Sequence, residues 1–294
     1  MRLLITDLDN TLYDWVTYFA NSFGALVKEL VATLDVQEET LLDEFKAVHQ
    51  HYGNSEHPFA MFELPSVRRR FPNSSRAELL HELNAPITAF RAAREKHLQL
   101  YAGVSDTLRA ISDEGTMIVA HTEAVAIHAY YRLMRLDILK YFKHIYALEG
   151  FVEPHPNPSR AAELIPPPDL IKIVPRNERK PNPELLQDIC RREGVRLSDA
   201  CYVGDSLSRD VSMAKTAGVT AVWARYGTSY DRSLWQSLVR VTHWTDEDVS
   251  REAHLSSLYS DIRPDYSIDG FVDLLDLIRP RVNFERSALP DQAA

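Results

Sequence analysis

Apolar and polar positions follow two different rhythms along this chain, and the change between them divides it. The run Leu3-Leu4-Ile5-Thr6 is short, apolar and closed at once by Asp7-Leu8-Asp9-Asn10, the pattern of a buried strand ending in a polar loop. From Tyr18 the spacing changes to threes and fours. Tyr18, Phe19, Phe23, Leu26, Val27, Leu30, Val31 and Leu34 form the apolar stripe of one helix. Further helical patterns run through Leu41-Leu42, Phe45 and Val48 and, past a loop near Pro58 and Pro65, through residues 77–83 and 87–100. No strand pattern occurs between residues 15 and 100.

From Gly103 helix and strand alternate. Ser105 is placed to cap a helix holding Leu108 and Ile111, which stops at Gly115. Residues 116–120 read as a buried strand, 124–136 as a helix, and 144–148 as a further short strand. Ala200–Gly204 and residues 219–224 are two more, separated by a helix over 211–217. This alternation predicts an α/β fold, a doubly wound parallel sheet with helices on both faces. The all-helical block is then a cap inserted after the first strand. The division expected is a discontinuous core over 1–14 and 100–281, a helical cap over 15–99, and a flexible tail over 282–294. Residues 151–183 hold nine of the 16 prolines and read as an extended surface excursion without an assigned element.

In a doubly wound sheet, ligands collect at the carboxyl ends of the strands, so the residues following each strand are the candidates. Asp7 and Asp9 follow the first, two apart and on one side of an extended backbone. His121-Thr122-Glu123 follows the second, and Asp205-Ser206-Leu207-Ser208-Arg209-Asp210 follows the strand 200–204. Carboxylates from two strand ends make an oxygen-rich pocket suited to Mg²⁺. Taken alone, each has a plainer reading. Asp7 and Asp9 fit a polar turn with Asp9 or Asn10 capping the next helix, Asp210 an acid in a first helical turn, Thr122 an N-cap, and Lys180 a solvated loop lysine. Their order along the chain is what gives them weight.

That order resembles the haloacid dehalogenase-like hydrolase superfamily, whose four motifs can be read here in sequence. Asp7-Leu8-Asp9-Asn10-Thr11-Leu12 matches Asp-x-Asp-x-Thr-Leu, Thr122 is the second motif, and Lys180 before Pro181-Asn182-Pro183 is the third. Gly204-Asp205 with Asp210 five positions on is the fourth. The resemblance covers about residues 1–14 and 100–279, and the family places its cap where the helical block lies. It implies a Mg²⁺-dependent hydrolase of small phosphate monoesters with Asp7 as nucleophile, forming an aspartyl-phosphate, and Asp9 as general acid and base. It also implies Mg²⁺ held by Asp7, Asp205 and the Asp9 carbonyl with Asp210 beside them, and phosphate bound by Thr122, the Glu123 backbone and Lys180. The acid at position 9 favours phosphoryl chemistry, because family members that displace halide have a non-acidic residue there. Phosphonate-cleaving relatives use a cap lysine, and nothing local marks Lys28, Lys46 or Lys96. Glu123 departs from the usual Asn, and Lys172 is the alternative to Lys180. A phosphomutase, or a binding or regulatory protein that kept the fold, is the competing reading.

Charge and composition narrow the partners. Acids outnumber bases 42 to 33 in 294 residues, which argues against a non-specific nucleic-acid binder. The expected partner is a small phosphorylated metabolite, a nucleotide monophosphate or sugar phosphate, with neither nucleic acid nor membrane. No run approaches the roughly 18 apolar residues of a membrane span, and the N-terminus lacks a signal-peptide pattern, so a cytoplasmic protein is expected. Cys190 and Cys201 are too few for a disulfide framework and read as buried thiols. His49, His51 and His57 read as a solvated polar loop, Arg68-Arg69-Arg70 as an exposed helix face, and Phe59, Phe62 and Phe71 as cap core.

Overall fold

A computed structural model describes residues 1–57, 59–150 and 158–278. Seven parallel strands form one sheet: β1 (Leu3–Thr6), β2 (Met117–Val125), β3 (His144–Leu148), β4 (Ile171–Val174), β5 (Ala200–Gly204), β6 (Thr220–Ala224) and β7 (Tyr266–Ile268). Their order is β4-β3-β2-β1-β5-β6-β7. Leu4 pairs with Ile118 on one side and Cys201 on the other, so β1 is central. The chain winds outward through β4 and then outward again from β5, which puts the switch point at the carboxyl ends of β1 and β5.

The alternation of side chains along each strand builds two cores. Leu4, Ile118, Ile145 and Val203 pack on the helices Val104–Asp113 and Ala126–Arg135. Leu3, Ile5, Val119 and Tyr202 face the helices Pro183–Arg192 and Ser212–Ala217. Both faces are covered, as a parallel sheet requires. Cys190 and Cys201 are buried free thiols.

Several sequence expectations change. The proline-rich stretch contains β4, and β7 also escaped notice. Both are edge strands of four and three residues, with Ile173 and Tyr266 exposed, too short to show a period. Ser105 lies inside its helix, which begins at Val104 after Gly103. The N-cap residue of the first long helix, Trp15–Leu34, is Asp14, whose side chain accepts from the Thr17 N–H, while Asn10 Oδ1 accepts from the Trp15 N–H at 3.1 Å. Of the two residues expected to cap this helix, Asn10 does meet one of its first donors. The tail 282–294 and residues 151–157 lie outside the described residues.

Between Trp15 and His97 the described residues are helical or loop. Phe23, Leu30, Phe45, Phe62 and Leu79 form a third core, with Phe59 and Phe71 packed against it. Arg68, Arg69 and Arg70 lie exposed on a short helix. This layer also takes in sequence from the far end of the chain: Leu238 and Val241, on the helix Arg232–Val241, complete its core. Among the described residues no helix is long and apolar enough to cross a membrane.

The histidines correct another expectation. His51 is exposed, but His49 and His57 are buried, not part of a solvated loop. His57 stacks on Tyr52 at 3.7 Å. His49 is 2% exposed and its Nδ1 lies 2.7 Å from the Val241 carbonyl. A carbonyl only accepts, so Nδ1 carries the proton of a neutral ring. Burial pushes the His49 pKa down from 6.5 to about 4. The unfolded chain therefore binds the proton first, and the stability His49 provides is complete above about pH 6.5 and is lost as pH falls toward about 4. Between those limits His49 is expected to contribute up to about 1.4 kcal/mol of lost stability per pH unit. Urea unfolding of wild type and His49→Gln across pH 7 to 4.5 checks this; equal pH slopes in the two proteins would contradict it.

Candidate active site

The site grows from the switch point. Asp7 follows β1 directly, and its backbone N–H still donates to Val203 of β5 at 2.9 Å, so its position is set by the sheet. Thr11 Oγ1 donates to Asp7 Oδ2 at 3.2 Å. Asp205 follows β5, and Asp210 sits one turn beyond it, its Oδ2 accepting from the Ser206 N–H at 3.1 Å. Carboxylate oxygens of Asp7, Asp205 and Asp210 all lie within 4.8 Å of one another. Two glycines make room for this. A Cβ on Gly204 would lie 2.4 Å from Asp210 Cγ, and one on Gly227 would lie 1.9 Å from the Asn10 carbonyl oxygen and 2.8 Å from Asp205 Cβ.

Lys180 enters from the loop before the helix Pro183–Arg192. It is 3% exposed, and its Nζ donates to Asp7 Oδ1 at 2.6 Å and to Asp210 Oδ1 at 2.9 Å. Its backbone is held on two sides, its N–H by Glu123 Oε1 at 3.1 Å and its carbonyl by Arg251 at 2.7 Å. Lys172, the alternative in sequence, lies on edge strand β4 beside Asp169.

One ammonium among three carboxylates leaves the pocket short of positive charge. Burial raises the Asp7 pKa to about 7, against the pull of Lys180. Burial, with Asp210 and Asp7 adding repulsion, pushes Asp205 well above the usual carboxylate range. Among the described residues nothing donates a hydrogen bond to the Asp205 carboxylate. Three hard oxygen donors with unbalanced charge fit a divalent cation that prefers oxygen.

Asp9 stands apart from this cluster. Tyr13 OH donates to its Oδ1 at 2.7 Å, and Arg132 Nη2 lies 3.4 Å from the same oxygen. Burial raises the Asp9 pKa, with Arg132 opposing. Arg132 is 0% exposed and also binds both oxygens of Glu56, at 2.8 and 2.9 Å. Burial favours the neutral acid at Glu56, but Arg132 overrides it and holds that carboxyl at about 2. Glu56 belongs to the helical block and Arg132 to a core helix, so this ion pair joins the two beside Asp9. Sequence reasoning missed both residues. The available signal was an arginine on the apolar face of its helix, sharing it with Ala129 and Leu133.

Thr122 is buried where the β2–β3 register shifts, and its Oγ1 accepts from the Ala124 N–H at 3.1 Å. Glu123 is neutralised: Arg209 Nη1 lies 3.1 Å from Oε2 and Arg179 Nε 3.5 Å from Oε1. The charge of Glu123 is thereby balanced, and its Oε1 holds the Lys180 backbone N–H. Asp7, Asp9, Thr122, Glu123, Lys180, Asp205 and Asp210 line one cavity of about 580 Å³. Its walls come from residues 50–56 and 235–249, the second of which sequence reasoning did not place near the site.

Residues 1–218 match the family model described as haloacid dehalogenase-like hydrolase. The chain is 26% identical to the glyceraldehyde 3-phosphate phosphatase of Methanopyrus kandleri over 283 residues, 95% of this chain and 97% of that one. It is 26% identical to a phosphoglycolate phosphatase of Pseudomonas fluorescens over 233 residues, 79% of this chain and 72% of that one. Among solved structures, the 2-haloacid dehalogenase of Pseudomonas syringae pv. Tomato DC3000 superposes with a TM-score of 0.55 at 19% identity, covering 95% and 98% of the two chains, which shows a shared fold. With the family model spanning both acid strand ends and the lysine between them, this chain belongs to the haloacid dehalogenase-like hydrolases.

Proposed function

We propose that the chain hydrolyses small phosphate monoesters with the aid of Mg²⁺, passing through a phosphorylated Asp7. The observation that carries this reading is the pairing of Asp7, bound to Lys180, with Asp9, an acid held by Tyr13 and Arg132 outside the carboxylate cluster. Displacing halide needs no proton donor, whereas an alkoxide leaving group does. The names of the curated relatives, phosphatases of two- and three-carbon phosphates, point the same way.

In this mechanism a carboxylate oxygen of Asp7 attacks phosphorus and the bond to the ester oxygen breaks. Asp9, its pKa raised by burial, gives its proton to the departing alkoxide. The same carboxylate then takes a proton from the water that attacks the aspartyl-phosphate, releasing inorganic phosphate and restoring Asp7. Lys180 offsets charge at Asp7 throughout, and Thr122 with the Glu123 backbone would hold phosphate oxygens. Mg²⁺ held by Asp7, Asp205, Asp210 and the Asp9 carbonyl would supply charge that lets two anions approach. The helical block serves as a cap that excludes water from the cavity. Buried free thiols at Cys190 and Cys201 suit a cytoplasmic setting.

Leaving-group chemistry tests the assignment. Asp9→Asn is expected to slow the first step by about 10²–10⁴ on alkyl phosphates and by much less on p-nitrophenyl phosphate, whose leaving group needs no proton, so that p-nitrophenolate appears in a burst before the slowed attack of water. Asp7→Asn should lose both activities; full turnover by that variant would overturn the nucleophile. Removing divalent metal with EDTA should abolish phosphate release, and added Mg²⁺ should restore it. Release unaffected by the chelator would refute the metal assignment.

Arg132 gives a stability prediction. Arg132→Met leaves two partly buried carboxylates without that cation and is expected to cost about 3 kcal/mol in urea unfolding. Adding Glu56→Gln should recover part of that stability without restoring kcat. Additive losses in the double variant would show that the two side chains are not coupled.

A further inference from the structure

We propose that Trp244 is a stacking platform for the leaving group, so that the preferred substrates are phosphate monoesters whose alcohol carries a flat aromatic ring. The inference rests on the phosphate monoesterase reading and names the substrate class of that same site.

The indoles of the chain differ in what they touch. Trp15 stacks on Phe19 at 5.3 Å and donates to Glu56. Trp223 donates to the Asp205 carbonyl at 2.8 Å. Trp235 packs at 5.3 Å on Tyr230 and belongs to the helical core. Trp244 is half-buried, lines the cavity, and joins none of the three apolar cores. Among the described residues its ring stacks on no other and its indole N–H donates to none. Yet the backbone that carries it is fastened. The Trp244 N–H donates to Thr242 Oγ1 at 3.3 Å, and its carbonyl accepts from Gln50 Nε2 at 3.2 Å. The preceding His243 N–H donates to Ser55 Oγ at 2.9 Å. A large aromatic surface is thus held in place by its main chain and left without a partner on the wall of a catalytic cavity.

Part of that wall has the same character, between polar stretches that include Gln50, Asn54 and Thr242. Phe19, Trp235, Leu238, Val239 and Val249 also line the cavity, and the two valines are 48% and 55% exposed. A cavity of about 580 Å³ lies within the range of about 300–1,000 Å³ typical of sites for drug-sized ligands. A two- or three-carbon phosphate presents hydroxyl and carbonyl groups, which the valines would desolvate without bonding and which a single indole N–H would satisfy only in part. A flat ring instead gains stacking and apolar burial there, while its phosphate reaches Lys180. The ring can be a nucleobase or a simple aryl group, since both offer the same π-face.

The test compares kcat/KM for nucleoside 5′-monophosphates, 2-phenylethyl phosphate, phosphoglycolate and glyceraldehyde 3-phosphate in wild type, Trp244→Ala and Trp244→Phe. Wild type is expected to prefer ringed esters by about tenfold or more. Trp244→Ala should collapse that preference mainly by raising KM, and Trp244→Phe should keep most of it. Preference for both ringed classes supports the platform with any aromatic source, and preference for nucleotides alone identifies the base as the ring. Equal rates on ringed and ringless esters in wild type overturn the inference, as does an equal loss on both classes in Trp244→Ala. If no ester is hydrolysed, the monoesterase reading fails on its own. Calorimetric binding of 2-phenylethyl phosphate then decides the platform: binding lost in Trp244→Ala sustains it, and no binding to wild type refutes it.

Discussion

The contact on which the site depends is the one between the Lys180 ammonium and the carboxylates of Asp7 and Asp210. Bringing three acids to within 4.8 Å in a largely buried pocket is unfavourable, because each loses hydration and repels the others. Lys180 offsets part of that, and its own pKa is held well above the usual value, with burial opposing and Asp210 and Asp7 raising it. Its placement cannot be loose, and the structure fixes the backbone from two directions, through Glu123 and Arg251. Glu123 is in turn held by Arg179 and Arg209, and Arg209 by Glu252. The charge balance of a few atoms at the centre thus extends into an ion network that reaches the helix Asp246–Leu258.

A second buried pair performs a related task at the other side of the cavity. Arg132 lies between Asp9 and Glu56, so the acid group and the helical block share one cation. Movement of the helical block that carried Glu56 away would leave Arg132 with Asp9 alone and strengthen that pairing. Asp9 would then sense the position of the block through a single guanidinium.

What the sequence made legible follows from the geometry of strands. A parallel sheet sends every strand end to one edge, so an acid after each of two buried apolar runs marks a common pocket without knowledge of the rest. Asp7, Asp9, Asp205 and Asp210 could be read that way, and Lys180 only through the family resemblance. Arg132 and Glu56 could not, because they meet only after the helical block folds over the sheet. β4 and β7 were missed because three or four residues at a sheet edge carry no period. Residues 232–249 were missed for a different reason: their helix is amphipathic like any surface helix, and nothing in that pattern says that its apolar face covers a layer built from residues 15–99.

That covering changes how the cavity must be understood. Its floor is made by strand ends whose positions the sheet dictates and whose charges must nearly cancel, so few substitutions there are tolerable. Its walls are made by residues 50–56 and 235–249, tied to one another through Ser55 with His243 and Gln50 with Trp244, and next to them through His49 with Val241. These ties are made largely to backbone groups, so the side chains facing the cavity can differ while the frame persists. A wall built this way can therefore change its substrate while the floor keeps its reaction. The polar bonds that fasten the wall and the apolar side chains that face inward are separate sets of atoms, and only the second need answer to the leaving group.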